Sequence, residues 1–375
     1  MSFKTIALFS NTSWYIYNFR LNTIKELLNN NFEVYVIAPK DEYTILLEKL
    51  GCKYLNIDFD SKSLNFFANL SVIFKLFFYL IKYRINIILN FTPKCNIYGS
   101  FCTRFCYTKS INNISGFGSG LNMNKYLNYI IIKMYKISFH NDTFVFVQNS
   151  NDYDFLLNSS ISNKNNTILI PGSGVDINKF VFTNLPAFDK NNKFIFLFIG
   201  RLLYSKGVSI LFDSALKLYK DFENFKVILV GKQDFSNPDV ISSDDLSKMS
   251  KPFFQFIDHT DNVLELISHS HCVILPSFYK EGTPKSLLEG LSVGRPIITT
   301  NIPGCKDTAT NKNGYIVNPN DTISLYQSMK TLINLPYSEI EDMGLRSREL
   351  AINTFDERIV INEYMHCINK CLTIN

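Results

Sequence analysis

The segment 273–304, VILPSFYKEGTPKSLLEGLSVGRPIITTNIPG, narrows the folds open to this chain more than any other. Residues 273–275 are a short apolar run of the kind that forms a strand buried on both faces. A loop, 276–282, follows. Thr283 is then a credible helix N-cap and Pro284 a credible first helical residue. Leu287, Leu288 and Leu291 share one helical face, Gly294 ends the helix, and Pro296 lies just beyond it. Residues 297–300 make the next strand. A strand, loop, helix and strand in this order put a helix N-terminus at the strand's carboxyl end. Open α/β sheets bind ligands at that edge, and helix N-termini attract anions.

Two carboxylates frame the loop, Glu281 before the helix and Glu289 within it. Their spacing of eight recurs at Glu341/Glu349 and Glu349/Glu357, so context distinguishes the first pair: a strand exit before it and a capped helix between. Eight helical residues span about 12 Å, beyond the roughly 5–9.5 Å of glycosidase carboxyl pairs. Two readings remain. Either the acids contact separate parts of one extended ligand, or both are exposed helix-end charges favoured by the dipole.

With 375 residues the chain exceeds one comfortable core, so two domains are expected. Its 46% hydrophobic content, rich in Phe and Tyr, excludes a disordered chain. Charge is uneven: residues 1–185 hold 18 basic and 11 acidic side chains, and 186–375 hold 20 and 22. The eight cysteines show no C-x-x-C pair or zinc spacing and read as reduced thiols. The apolar run 5–9 is too short for a signal peptide and suits a first strand. The most apolar stretch, 64–81, carries Asn65, Asn69, Ser71 and Lys75, which argues against a membrane span.

Read in order, strands are expected at 5–9, 33–38, 53–57, 86–90, 143–147 and 167–170, with helices at 19–28 and 41–50. The first strand-to-helix turn, 10–17, lacks G-x-G-x-x-G, so no nicotinamide or flavin site is expected. Asp58-Phe59-Asp60 is a D-x-D tripeptide. Residues 114–120 read as a glycine-rich loop able to admit a ligand close to the backbone, or equally as a flexible turn. The connection between domains is placed where 176–193 loses periodicity. A second α/β unit follows, with strands at 194–199, 226–230, 252–257, 273–275, 297–300 and 314–317. Helices are expected at 208–219 and 264–269, and a terminal one at 355–372. Arg201 at a strand exit and Lys206 before a helix make a cationic pair suited to a diphosphate; as isolated residues they read equally as surface charges. His269 and His271 form H-x-H without a third metal ligand.

One stretch is unusual in charge. Residues 61–141 contain ten Lys or Arg and no Asp or Glu, interleaved with aromatics. This composition suits an anionic membrane face. Nucleic acid is the competing partner, though no nucleic-acid motif is present; buried helices with solvated lysine edges are the plain alternative.

The run Gly200-Arg201…Lys206-Gly207, Pro276-Ser277…Glu281-Gly282…Pro284…Ser286-Leu287-Leu288-Glu289…Gly294…Pro296-Ile297…Pro303-Gly304-Cys305, then Asn313-Gly314…Pro319…Asp321, resembles glycosyltransferase family 4. Residues 13–20, 39–43 and 114–118 are similar to bacterial α-1,3-N-acetylgalactosaminyltransferases acting on undecaprenyl-diphosphate-linked sugars. The resemblance implies an α/β protein of GT-B fold, two Rossmann-like doubly wound domains with a cleft between them. It implies a retaining, metal-independent hexosyltransferase that needs no cofactor beyond its co-substrate, a UDP-sugar. N-acetylgalactosamine is the favoured sugar, and a polyprenyl-diphosphate-linked saccharide of O-antigen, capsule or glycan assembly the acceptor. The expected setting is cytoplasmic, peripheral on the inner face of the cytoplasmic membrane, with no nucleic-acid partner.

By position, Arg201 and Lys206 would bind the donor diphosphate, and Glu281 would orient the donor sugar. Glu289 would hold the ribose hydroxyls. The backbone of Gly282, Thr283, Pro284, Lys285, Ser286 and Leu287, at the helix start, would steady sugar and phosphates. Phe256 and Ile257 would meet the base. Relatives usually carry Gly where Asp258 stands, and many have glycines where Trp14-Tyr15 stand. The expected division is 1–177 for the acceptor and membrane, 178–192 as linker, 193–356 for the nucleotide sugar, and a helix at 357–375 packing back on the first domain. The alternatives are a UDP-sugar 2-epimerase of the same fold and a non-enzymatic protein that binds anionic lipid.

Overall fold

Uninterrupted runs of Val, Ile, Leu and Phe form strands buried on both faces, and most central strands of both sheets are such runs, the strand with the buried Ser110, Asn112 and Asn113 excepted. The computed structural model describes residues 4–58, 66–116, 125–140, 143–189, 192–260, 262–279 and 281–373. These fall into two units, Met1–Ser173 with Arg358–Asn375, and Gly174–Glu357.

In the first unit the order is β1 (Thr5–Phe9), α1 (Ser13–Asn29), β2 (Glu33–Ala38), α2 (Thr44–Lys49), β3 (Lys53–Asn56), α3 (Phe66–Lys82) and β4 (Ile87–Phe91). Then come α4 (Pro93–Thr103), β5 (Lys109–Ile114), α5 (Lys125–Ser138), β6 (Phe144–Val147), α6 (Ser150–Asn158) and β7 (Thr167–Leu169). The parallel sheet is ordered β3-β2-β1-β4-β5-β6-β7. The chain winds outward from β1 to β3 and returns to pair β4 with β1, so connections diverge between β1 and β4. Ile16, Ile24 and Leu27 of α1 and Leu47 of α2 line one sheet face, with Tyr364 and Ile368 from the end of the chain. Helices α3, α4, α5 and α6 cover the other.

The second unit contains β8 (Phe194–Ile199), a 3-10 turn (Tyr204–Lys206), α7 (Val208–Asp221), β9 (Phe225–Val230), α8 (Ser243–Lys248), β10 (Phe254–Ile257) and α9 (Val263–Ser268). It continues with β11 (Cys272–Leu275), α10 (Lys285–Val293), β12 (Ile297–Thr300), β13 (Gly314–Val317), α11 (Thr322–Ile333) and α12 (Tyr337–Thr354). Its parallel sheet is ordered β10-β9-β8-β11-β12-β13, again splitting between its first and fourth strands. The last helix, α13 (Glu357–Thr373), belongs from Arg358 onward to the first unit.

The expected linker, 178–192, is not a loose connection in its described part. Phe180 and Leu185 are buried in the second unit's core, and the division falls earlier, between Ser173 and Gly174. Two guanidinium groups hold the strap. The fully buried Arg295 donates to the carbonyls of Thr183 (2.7 Å) and Asn184 (3.2 Å) and to those of Ile267 and Ser268. Arg348 donates to the carbonyls of Phe180 and Ile177. Backbone carbonyls bound by arginine leave no trace in hydrophobic period, so an aperiodic stretch reads as a linker.

Helix α1 starts at Ser13, inside the expected loop, because the Thr12 side chain accepts the Tyr15 N–H and caps it. Helix α2 is shorter than expected. Ile114 ends β5, whereas 117–120 of the glycine-rich loop lie outside the described residues.

Candidate active site

The β8/β11 boundary is the point where loops leave the second sheet in opposite directions. The loop after β8 ends at Gly207, whose φ of 79° starts α7. A Cβ there would lie 2.1 Å from the Pro276 carbonyl oxygen, so glycine lets this loop meet the one after β11. Ser205 ties three loops together. Its N–H donates to Asp239 Oδ2 at 3.1 Å and its hydroxyl to the same oxygen, while its carbonyl accepts the Phe278 N–H at 2.9 Å.

That junction fixes the next residue. Lys206 Nζ lies 2.5 Å from both Glu281 carboxylate oxygens, and the Ser277 hydroxyl donates to Glu281 Oε1 at 2.7 Å. The lysine and glutamate side chains keep only 14% and 12% of their exposure, so water screens the pair poorly. Arg201, in contrast, is exposed and makes no side-chain hydrogen bond or ion pair among the described residues.

Pro284, with φ −66° and ψ 123°, takes the cap position, so α10 begins at Lys285 rather than at the expected Pro284. Thr283 lies outside the helix and is buried. Because 281–284 are not helical, the 12 Å separation expected for Glu281 and Glu289 does not apply. The first N–H groups of a helix lack intrahelical partners; the Leu287 and Leu288 N–H groups both donate to the Pro284 carbonyl. The loop after β12 closes against this start: a Cβ on Gly304, whose φ is 81°, would meet the Gly282 carbonyl oxygen at 2.1 Å.

Glu289, in the second turn of α10, is 91% buried, at 9% relative exposure. Its carboxylate has no hydrogen bond or ion pair among the described residues. Burial raises its pKa, with Lys285 and Lys179 pulling the other way. A carboxylate held this way gains from hydroxyl donors supplied by a ligand. Phe256, 40% exposed, and Ile257 end the edge strand β10, two strands from β8.

The structure therefore joins Lys206 and Glu281 directly and places Arg201, the α10 start and Glu289 on elements that leave β8 or follow β11. Among the described residues neither Arg201 nor Glu289 makes a hydrogen bond or ion pair with the lysine–glutamate pair. Ser277, Ser205 and Asp239 carry no signal of their own in the sequence. Ser277 stood inside the quoted motif; Asp239, in an irregular segment, gave no signal.

The two histidines do not share a strand. His269 follows α9 at the surface, and its Nδ1 sits 2.8 Å from the Glu265 carbonyl oxygen. His271 is buried, accepts the Ile195 N–H at Nδ1 (3.0 Å), and stacks on Phe194. Burial lowers its pKa to about 4. Phe59 and Asp60 of the D-x-D tripeptide lie outside the described residues.

Two all-parallel, doubly wound units in one chain define the GT-B class. Solved structures share this fold across the chain. A glycosyltransferase from Rickettsia africae aligns with a TM-score of 0.79 at 18% identity, covering 100% of both chains. HepE from Anabaena, crystallised with UDP and glucose, aligns with a TM-score of 0.80 at 15% identity over 98% of this chain and 100% of its own. In sequence, the chain is 31% identical to the N,N'-diacetylbacillosaminyl-diphospho-undecaprenol alpha-1,3-N-acetylgalactosaminyltransferase of Campylobacter jejuni, over 98% of this chain and 99% of that protein. It is 23% identical to the capsular polysaccharide biosynthesis glycosyltransferase CapM of Staphylococcus aureus, over 93% of each. Residues 184–349 match the family described as Glycosyl transferases group 1. The chain belongs to this glycosyltransferase family.

Proposed function

We propose that the protein transfers an N-acetylhexosamine, N-acetylgalactosamine being favoured, from a UDP-sugar to a polyprenyl-diphosphate-linked saccharide at the inner face of the cytoplasmic membrane. The observation that carries this reading is the Lys206–Glu281–Ser277 cluster at the switch point, beside a helix start and ahead of the buried Glu289. The Campylobacter relative, similar along nearly the whole chain, supports the acceptor class and the sugar.

In this reading the bond between the sugar's anomeric carbon and the diphosphate oxygen breaks, and its electron pair stays on the phosphate. Lys206, Arg201 and the N–H groups at the α10 start stabilise that charge. Glu281, held by Lys206 and Ser277, grips the sugar hydroxyls. Glu289 accepts from the ribose hydroxyls, and Phe256 and Ile257 flank the base. The acceptor hydroxyl adds to the anomeric carbon on the face the diphosphate leaves, giving retention, and its proton passes to the departing phosphate oxygen. These side chains perform their part without a bound metal.

The test is to incubate the pure protein with UDP-N-acetylgalactosamine, UDP-N-acetylglucosamine, UDP-galactose and UDP-glucose, each with a synthetic polyprenyl-diphosphate sugar. Mass spectrometry should show the lipid gaining one N-acetylhexosamine. Folded, UDP-binding protein that extends no lipid with any donor contradicts the reading. Release of an epimerised UDP-sugar without lipid would identify an epimerase instead.

A further inference from the structure

We propose that the outer faces of α3 and α5 form the surface by which the protein docks on an anionic lipid bilayer. This rests on the membrane-surface reading above and names the contact itself. The three helices α3, α4 and α5 lie on one face of the first sheet, with α4 packed against both others. Helix α4 is largely buried, with Cys95, Ile97, Tyr98 and Cys102 in the core. Helix α3 turns Val72, Leu76 and Leu80 toward the sheet, which leaves Phe74, Phe78 and Ile81 65%, 55% and 54% exposed. Helix α5 turns Tyr135 inward and leaves Tyr129 and Ile137 63% and 48% exposed. Spacings of three, four and eight keep each set on one helical stripe.

Cations stand on the same stripes. Lys75 and Lys82 are exposed on α3, and Lys133 and Lys136 on α5. Lys82 Nζ lies 5.4 Å from the Phe78 ring centre, its stem along the apolar surface and its charge at the edge. No acidic residue occurs in 61–141 to offset them. A stripe of exposed rings edged by lysines fits the boundary between acyl chains and anionic headgroups. A second copy of the chain would set two basic faces against each other. No helix among the described residues is long and apolar enough to cross a membrane, so the helices would lie on it.

The test is co-sedimentation with phosphatidylcholine vesicles, with and without phosphatidylglycerol. Wild type should bind the anionic vesicles, less at high salt, and the neutral ones weakly. Phe74→Ser with Phe78→Ser, and separately Lys75→Glu with Lys82→Glu, should each lower partitioning about ten-fold or more. Tyr129→Ser with Ile137→Ser gives an independent variant should one on α3 not fold, as judged by circular dichroism. Lys220→Glu with Lys312→Glu, exposed in the second unit, should bind as wild type. UDP affinity, read by calorimetry, should be unchanged throughout, which separates this proposal from the donor site. Folded face variants that bind anionic vesicles like wild type overturn it. So does a concentration-dependent dimer that these substitutions abolish, or equal salt-sensitive binding to duplex DNA without vesicle binding.

Discussion

The exits of β1 and β8 occupy the same place in two sheets of the same winding, yet they are furnished differently. After β1 the chain reaches α1 through Ser10, Asn11 and Thr12, with no cation between strand and helix. Ser13 Oγ donates to the Pro39 carbonyl at 3.2 Å and the Trp14 N–H to Asp41 at 2.8 Å, so this exit is bound to the loop after β2. After β8 the chain makes a longer turn that carries Arg201 and Lys206 and is bound to the loops after β9 and β11. Winding supplies the crevice; the residues of the exit decide what it can hold.

The first way to break this comparison is Lys206→Ala. Loss of an electrostatic donor of this kind should cut UDP release about 10²–10³-fold, roughly 3–4 kcal/mol at the barrier. Near wild-type turnover would reduce the two exits to the same inert role.

The amino ends of the same strand pairs sharpen it. The Thr5 N–H of β1 donates to the Asn86 side chain just before β4, and the Ile195 N–H of β8 donates to His271 just before β11. One acceptor titrates and the other does not. Burial lowers the His271 pKa to about 4, whereas an unfolded histidine takes its proton near 6.5. Between these values the unfolded chain binds more protons. The stabilisation is therefore complete above about pH 6.5 and is lost as pH falls toward 4, about 3 kcal/mol in all. Chemical denaturation across this range should show the loss, and His271→Asn, which copies the first unit, should flatten it.

A smaller effect belongs to Glu289. Because burial raises its pKa, the charged form is penalised in the native state above the unfolded value. Glu289→Gln should raise the melting temperature at pH 7 while weakening UDP about ten-fold, the loss of a charged acceptor. A variant both less stable and unchanged in UDP affinity would make Glu289 a structural residue. Smallest is Thr12→Ala, which removes the α1 cap and should cost about 1 kcal/mol of stability. UDP affinity should be unmoved.

Sequence showed most of what hydrophobicity alone controls. Strands 5–9, 33–38, 194–199, 297–300 and 314–317 match the observed elements to the residue; polar or turn residues stand at their ends, Phe32 before the second excepted. Strand β5 escaped because Ser110, Asn112 and Asn113 are buried in it on the strength of distant partners. Asn112 Oδ1 accepts from Asn90 and Ser100 at 3.0 and 2.9 Å, and the Asn113 side chain donates to the Tyr364 hydroxyl at 2.8 Å. At the candidate site, Lys206 and Glu281 are legible through the motifs around them. Asp239 was not, because its role arises only when the loop after β9 is folded back onto Ser205.

The central claim is that the loops after β8 and β11 catch a diphosphate. Calorimetric titration of wild type and Lys206→Ala with UDP and with uridine tests it most directly. Wild type should bind UDP far more tightly than uridine, and the variant should lose most of that difference. Equal UDP affinity in the two proteins, or no preference of wild type for UDP over uridine, would contradict it.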